Sequence, residues 1–186
     1  MKKALLTLSI LLLLISCEKK NDKIQKEDTK IEKDTVAFFD PTDLGAFGSP
    51  IRLLIYANFH ECGEWGGHEE SFEFFAKEDR KFYVRFKRSK VDCDKRLYGR
   101  PIQQPEISKE IQLSKSNIIA INNYISKLVH SKIKERYPGH AGQSFGVIKT
   151  DSTFMINVYD NNNENLDNYN KLLESFKIEK VSYKNH

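Results

Sequence analysis

Ser71-Phe72-Glu73-Phe74-Phe75-Ala76-Lys77-Glu78-Asp79-Arg80-Lys81-Phe82-Tyr83-Val84-Arg85-Phe86-Lys87-Arg88 sets the architecture of this chain. Ser71–Lys77 puts Phe72, Phe74 and Ala76 on one side of an extended backbone, and Lys81–Arg88 does the same with Phe82, Val84 and Phe86. Period-two alternation of this kind belongs to a half-buried strand. The three residues Glu78-Asp79-Arg80 between the runs give an even register. In that register Phe74 faces Val84, Phe72 faces Phe86, and Glu73 faces Arg85 on the polar side. One pairing satisfies both the aromatic face and the charge pair, so a β-hairpin is predicted.

The same reading extends to either side. Before the hairpin, Ile51, Leu53, Ile55, Ala57 and Phe59 alternate with more polar neighbours as a first strand. After it, a loop spanning Pro101…Pro105 leads to a fourth strand around Glu106–Leu113. Ser114 or Ser116 then caps a helix carrying Ile118, Ile121, Ile125, Leu128 and Val129 as one stripe, with Ile133 extending it. Tyr137-Pro138-Gly139 ends this helix. A second hairpin, Phe145–Lys149 and Thr153–Tyr159, turns at Thr150-Asp151-Ser152. Asn161-Asn162-Asn163 then caps a last helix with Leu166, Tyr169, Leu172, Leu173 and Phe176 inward. Asp160, Asn162 and Glu164 imitate the start of a calcium loop, but Asn165 stands at the turn-glycine position and Lys171 at that of the bidentate Glu. The cap is therefore the better reading. Strands arriving as hairpins, with helices following them, predict an α+β domain: an antiparallel sheet of hairpins packed against two helices.

The N-terminus carries an address. Met1-Lys2-Lys3 is basic, Ala4–Ile15 is apolar apart from Thr7 and Ser9, and the run ends Leu14-Ile15-Ser16-Cys17. It is too short for a bilayer-spanning helix, which needs about 20 apolar residues, but suits a secretory signal. Those last four residues resemble the lipobox of bacterial lipoproteins. The resemblance implies cleavage before Cys17 and a covalent lipid on its thiol, the only cofactor-like group expected. Each buried methylene contributes about 0.8 kcal/mol, so two or three acyl chains would hold the protein at a cell or outer membrane on its extracytoplasmic side. The expected organisation is a signal peptide over 1–16, a lipidated Cys17 with a flexible charged tether over 17–35, and one globular domain over 36–186. In the tether, Glu and Asp alternate with Lys, and only Ile24 and Ile31 are apolar. A flexible segment of that length reaches roughly 20–25 Å.

The whole chain carries 30 Lys and Arg against 26 Asp and Glu. Losing Lys2 and Lys3 with the signal leaves a net charge of +2. So small an imbalance, in an exported protein, speaks against nucleic acid as a partner.

The segment richest in chemistry joins the first two strands: His60-Glu61-Cys62-Gly63-Glu64-Trp65-Gly66-Gly67-His68-Glu69-Glu70. With Cys17 lipidated, Cys62 and Cys93 are the remaining thiols, and export favours pairing them. Cys62 precedes strand two and Cys93 follows strand three, so both fall near the open end of the hairpin. Closing a loop of about 30 residues contributes roughly 3.5–4 kcal/mol in the chain-entropy account. A metal site built on His60, His68 and Glu64 is the alternative, although the spacing matches no zinc pattern and a paired cysteine cannot ligate. A catalytic reading takes Glu64 as general base with His68, and His140 from elsewhere in the chain. The loop reading instead has a hydrogen-bond network around His68 and Glu64, positive φ at Gly66-Gly67, and Trp65 covering the disulfide. Cys62–Glu70 is similar to a Cys-Gly-Glu-aromatic-Gly-Gly-His-x-Glu signature of small exported proteins and lipoproteins. That resemblance implies fold and export and supplies no activity.

A basic cluster, Arg80, Lys81, Arg85, Lys87, Arg88, Lys90, Lys95, Arg96 and Arg100, lies on and after strand three. Its reach is toward anionic headgroups or an acidic partner, unless Glu69, Glu70 and Glu73 neutralise it. Trp65, His68, Glu69, Arg85, Lys87 and Arg88 are the binding candidates. The sequence is thus read as a lipid-anchored envelope protein that binds an envelope or exported protein, as adaptor or inhibitor. A small hydrolase using Glu64 and His68 is the rival.

Overall fold

The computed structural model describes residues 37–135, 142–160 and 163–182, all within the unit Val36–His186. Strands β1 (Leu53–Asn58), β2 (Glu69–Ala76), β3 (Phe82–Leu97) and β4 (Arg100–Gln112) come first. Helix α1 (Lys115–Lys134) follows, then β5 (Gln143–Lys149), β6 (Met155–Asp160) and helix α2 (Glu164–Ser175). The six strands form one antiparallel sheet in the order β4-β3-β2-β1-β5-β6. The domain is α+β.

One face of the sheet is covered. Leu53, Ile55 and Ala57 of β1, Phe72 and Phe74 of β2, Val84 and Phe86 of β3, and Phe145 and Val147 of β5 are all fully buried. They pack with Ile121, Tyr124, Ile125 and Leu128 of α1 and with Leu166, Tyr169, Leu172 and Leu173 of α2 in a single core. Phe39 and Leu44 close one margin, held by Asn122, whose Oδ1 accepts from the backbone N–H of Phe38 (2.7 Å) and Phe39 (2.9 Å). The β2–β3 register is the expected one: Phe74 opposite Val84, Phe72 opposite Phe86, Glu73 opposite Arg85. Ser114 caps α1, completing a reciprocal pair with Asn117. The Asp160 carboxylate accepts the Leu166 N–H at 2.9 Å, which ties β6 to the first turn of α2.

Three expectations are corrected. The span Pro101…Pro105 is strand, not loop: β3 and β4 pair from Tyr83 and Gln112 to Leu97 and Arg100, with register shifts at Arg88/Ser89 and between Asp92 and Arg96. Both prolines stand on an edge strand, where a missing N–H breaks no ladder bond on the open side. The paired outer halves of β3 and β4 form an arm ending in Leu97-Tyr98-Gly99, with Tyr98 97% exposed. Ile133 does not extend the α1 stripe and is 78% exposed. Trp65 is not a buried lid on the loop: it is 54% exposed, with the Arg96 guanidinium 4.7 Å from its ring centre. Cys17, the signal and tether, Tyr137-Pro138-Gly139 and His140 lie outside the described residues, as do Asn161 and Asn162. Among the described residues no helix is long and apolar enough to cross a membrane.

Candidate functional site

The β1–β2 connection and the base of the arm meet at one end of the sheet. Cys62 and Cys93 are disulfide-bonded there, with Cα atoms 5.3 Å apart. Gly63–Trp65 makes a single 3-10 turn, closed by the Cys62 N–H donating to the Gly66 carbonyl at 2.8 Å. Gly66 has the expected positive φ of 91°. Gly67 is there for another reason. A Cβ on it would lie 1.8 Å from Glu61 Oε2 and 2.6 Å from the Glu61 nitrogen. The absence of a side chain lets the Glu61 carboxylate fold back over the loop.

That carboxylate meets His68. Glu61 Oε2 accepts the His68 backbone N–H at 3.0 Å, and Glu61 Oε1 bonds His68 Nδ1. The other ring nitrogen, Nε2, lies 3.3 Å from Glu70 Oε1. The imidazole is stacked on Phe59, with ring centres 4.1 Å apart and planes within 5°. Glu70 stands at an inward position of β2, with its side chain fully buried, opposite Arg88 of β3. Arg88 Nε donates to Glu70 Oε1, and the Tyr169 hydroxyl donates to Glu70 Oε2 at 2.8 Å. Arg88 Nη2 then donates 2.7 Å to the Glu179 carbonyl, which pins the segment after α2. A buried carboxylate is costly without partners; this one has a guanidinium, an imidazole and a phenol.

The electrostatics follow from these contacts. Burial alone pushes the His68 pKa down, but the hydrogen bonds and charges of Glu61 and Glu70 outweigh it and raise it to about 9. Glu61 answers in kind: burial pushes its pKa up, and the bond to His68 more than reverses this and lowers it. Burial, with the Glu70 charge, holds the Tyr169 phenol well above its usual range, so it remains a donor. The cluster thus sets two carboxyl groups, Glu61 and Glu70, against the His68 imidazole and the Arg88 guanidinium. A hollow of about 600 Å³ lies alongside, bordered by Glu61, His68, Arg88, Cys93, Glu106 and Lys180.

Several candidates do not join this group. Glu64 is exposed on the 3-10 turn, and His68 pairs with Glu61 and Glu70 in its place. Glu69 points out of the other side of β2, its backbone N–H bonded to Ser89 Oγ at 2.8 Å. Arg85 and Lys87 face away from Arg88, as alternation along a strand requires. Arg85 is taken by Glu73 at 3.1 Å and by Glu110 at 3.6 Å. Among the described residues no group of three or more His, Cys, Asp or Glu converges to hold a metal. Sequence reasoning missed Glu61, Glu70 and Phe59 as partners of His68, and Tyr169 as a partner of Glu70. One signal was within reach: carrying the hairpin register one inward pair further sets Glu70 against Arg88.

Compared with protein-family models, curated proteins and solved structures, the chain finds no match.

Proposed function

We propose that this is a lipid-anchored extracytoplasmic protein, attached through acylated Cys17, that acts by binding an envelope or exported protein, as adaptor or inhibitor. What supports this reading is the contrast between the cluster and the arm. In the cluster every charge is answered from within, and the imidazole is already protonated at neutral pH, so it has no base to offer a substrate. The arm has its chemistry outward. Trp65, Leu97 and Tyr98 are exposed beside Lys90, Lys95, Arg96 and Arg100, and the Cys62–Cys93 bond ties the arm to the Trp65 turn. Trp, Tyr and Arg are the residue types that dominate binding energy in interfaces.

The test replaces Tyr98 with a photo-crosslinking phenylalanine in the full chain in its native cells. A discrete protein adduct is expected, and it should vanish when Arg96 and Leu97 are both changed to Asp. Crosslinks to lipid alone, or an adduct indifferent to those changes, would overturn the arm as the contact. Mass spectrometry of the same material tests the anchor: the mature chain should begin at a Cys17 carrying acyl mass, and an unmodified Cys17 would defeat that part.

A further inference from the structure

The open face of the sheet holds an ordered row that the arm and the cluster do not use. Ser108, Lys87, Ser71, Tyr56, Gly146 and Asn157 stand in register on β4, β3, β2, β1, β5 and β6, crossing the whole sheet. The row on one side is filled by long side chains: Glu110, Arg85, Glu73, Leu54, Ile148 and Met155. Its charged members bridge one another, Arg85 to both Glu73 and Glu110. On the other side Asn58 Nδ2 donates to Ser144 Oγ at 3.2 Å, and Ser89 Oγ bonds Gln103 and the Glu69 backbone. Between these rows the central one is polar, with the short Ser108, Ser71 and Gly146 alternating with the longer Lys87 and Tyr56. A hollow of about 660 Å³ lies over it, bordered by Tyr56, Ser71, Lys87 and Ser108, with Pro105 and Ile107 at one end.

Two details show that this row's hydrogen-bonding capacity is unspent. Among the described residues, the side chains of Ser71, Lys87 and Ser108 bond to no other. Farther along, Asn157 Oδ1 is buried with no partner, and such a group ordinarily finds one. Tyr56 is held in place by its neighbour: a Cβ on Gly146 would come within 2.2 Å of Tyr56 Cζ and 2.3 Å of its hydroxyl. Only glycine leaves the ring room to lie over β5.

We infer that this trough is a saccharide-binding site. A sugar chain is amphipathic in the way the row is. Its C–H faces suit the Tyr56 ring and Pro105, and its hydroxyls both donate and accept, as Ser71 and Ser108 do. Lys87 donates to ring oxygens or to a uronic carboxylate, and Glu69 at the margin accepts. A peptide adding as a strand needs a free edge, and the trough crosses the face of strands whose backbone groups are already paired. The site shares Pro105 with the root of the arm but none of the arm's exposed contact residues Trp65, Leu97 and Tyr98, so either reading can fail without the other.

Saturation-transfer NMR on the full chain, with chitohexaose and hexagalacturonate as probes, tests the inference. Transfer to the ring protons of at least one oligosaccharide is expected. Each lost hydrogen bond should weaken binding by about tenfold, so Ser71→Val with Ser108→Val and, separately, Lys87→Gln should reduce it by that factor or more. Arg100→Gln on the arm should leave it unchanged. Unaltered thermal melting of each variant shows that the fold is intact. Three results would overturn the site: no transfer to either sugar at millimolar concentration, transfer indifferent to all the row variants, or complete displacement by inorganic phosphate.

Discussion

Strand β3 is one continuous strand built by two sets of rules. Its first half, Phe82–Arg88, runs through the sheet with Val84 and Phe86 fully buried. Its second half, Ser89–Leu97, projects with only β4 beside it, and none of its side chains is buried. The first half is held by apolar area removed from water. The second is held by ties: the Cys62–Cys93 bond, Gln103 Nε2 donating to the Gly67 carbonyl at 2.7 Å, and the Ser89–Gln103 hydrogen bond. The junction is the Glu70–Arg88 pair, the last inward pair before the first register shift. A core half tolerates little change, whereas a tied half has its outer surface free for a partner.

The comparison is tested most severely in the core half. Phe86→Ala removes a ring that packs against Phe72 with centroids 4.8 Å apart. It should cost about 3–5 kcal/mol and lower the urea midpoint of the whole domain in a single transition. A small effect confined to the arm would mean that the two halves are not distinct. Removing the disulfide by Cys62→Ser with Cys93→Ser should cost somewhat less, roughly 3–4 kcal/mol by loop entropy. Its signature is local. Hydrogen exchange should quicken over Ser89–Gln103 well before it does at Phe72 or Val84. Uniform acceleration would contradict the division.

The junction predicts a pH dependence with a definite sign. His68 is raised from 6.5 to about 9 in the folded state, so its contribution is complete below pH 6.5 and is lost as pH rises toward 9. Unfolding free energy should fall by about 1–3 kcal/mol across that window. Glu61, lowered in the fold, adds a loss in the opposite range, as pH drops below its ordinary value near 4.5. His68→Gln should flatten the alkaline slope; a slope that survives it would assign the proton elsewhere.

The two halves also differ in how far the sequence revealed them. Phe72, Phe74, Val84 and Phe86 alternate without interruption, and Glu73 opposite Arg85 fixed the register a second time. Burial imposes period two wherever one face is covered, and so it can be read from the residues alone. None of the side chains of Ser89–Leu97 is buried, so nothing imposed alternation on them. Pro101 and Pro105 read as loop because an edge strand's tolerance for proline depends on which strands lie beside it. Pairing Cys62 with Cys93 followed from the count of thiols in an exported chain together with the hairpin root. The cluster around His68 needed more: Gly67 leaves room for Glu61 to fold back over the loop, and Tyr169 reaches Glu70 from the far end of the chain. Local spacing carries no trace of either. Ile133 failed differently, because helical periodicity continues past the point where α1 loses contact with the core.

The gentlest perturbation sits at the tip of the tied half. Trp65 is the only tryptophan in the chain, and it stands against Arg96 with 54% of its surface exposed. An exposed cation–π pair contributes about 0.5–1 kcal/mol, so Arg96→Ala should barely move the melting temperature. The indole should report the change all the same, because losing the guanidinium uncovers one ring face to water and to a neutral quencher. Acrylamide quenching of Trp65 should therefore rise in the variant, with far-UV dichroism and the His68 pH slope untouched. If stability drops by several kcal/mol, the arm is part of the folding unit and its exposed residues are structural. If quenching does not change, Arg96 is not held over the ring in solution, and the arm is tied by the disulfide and the Gln103 contact alone.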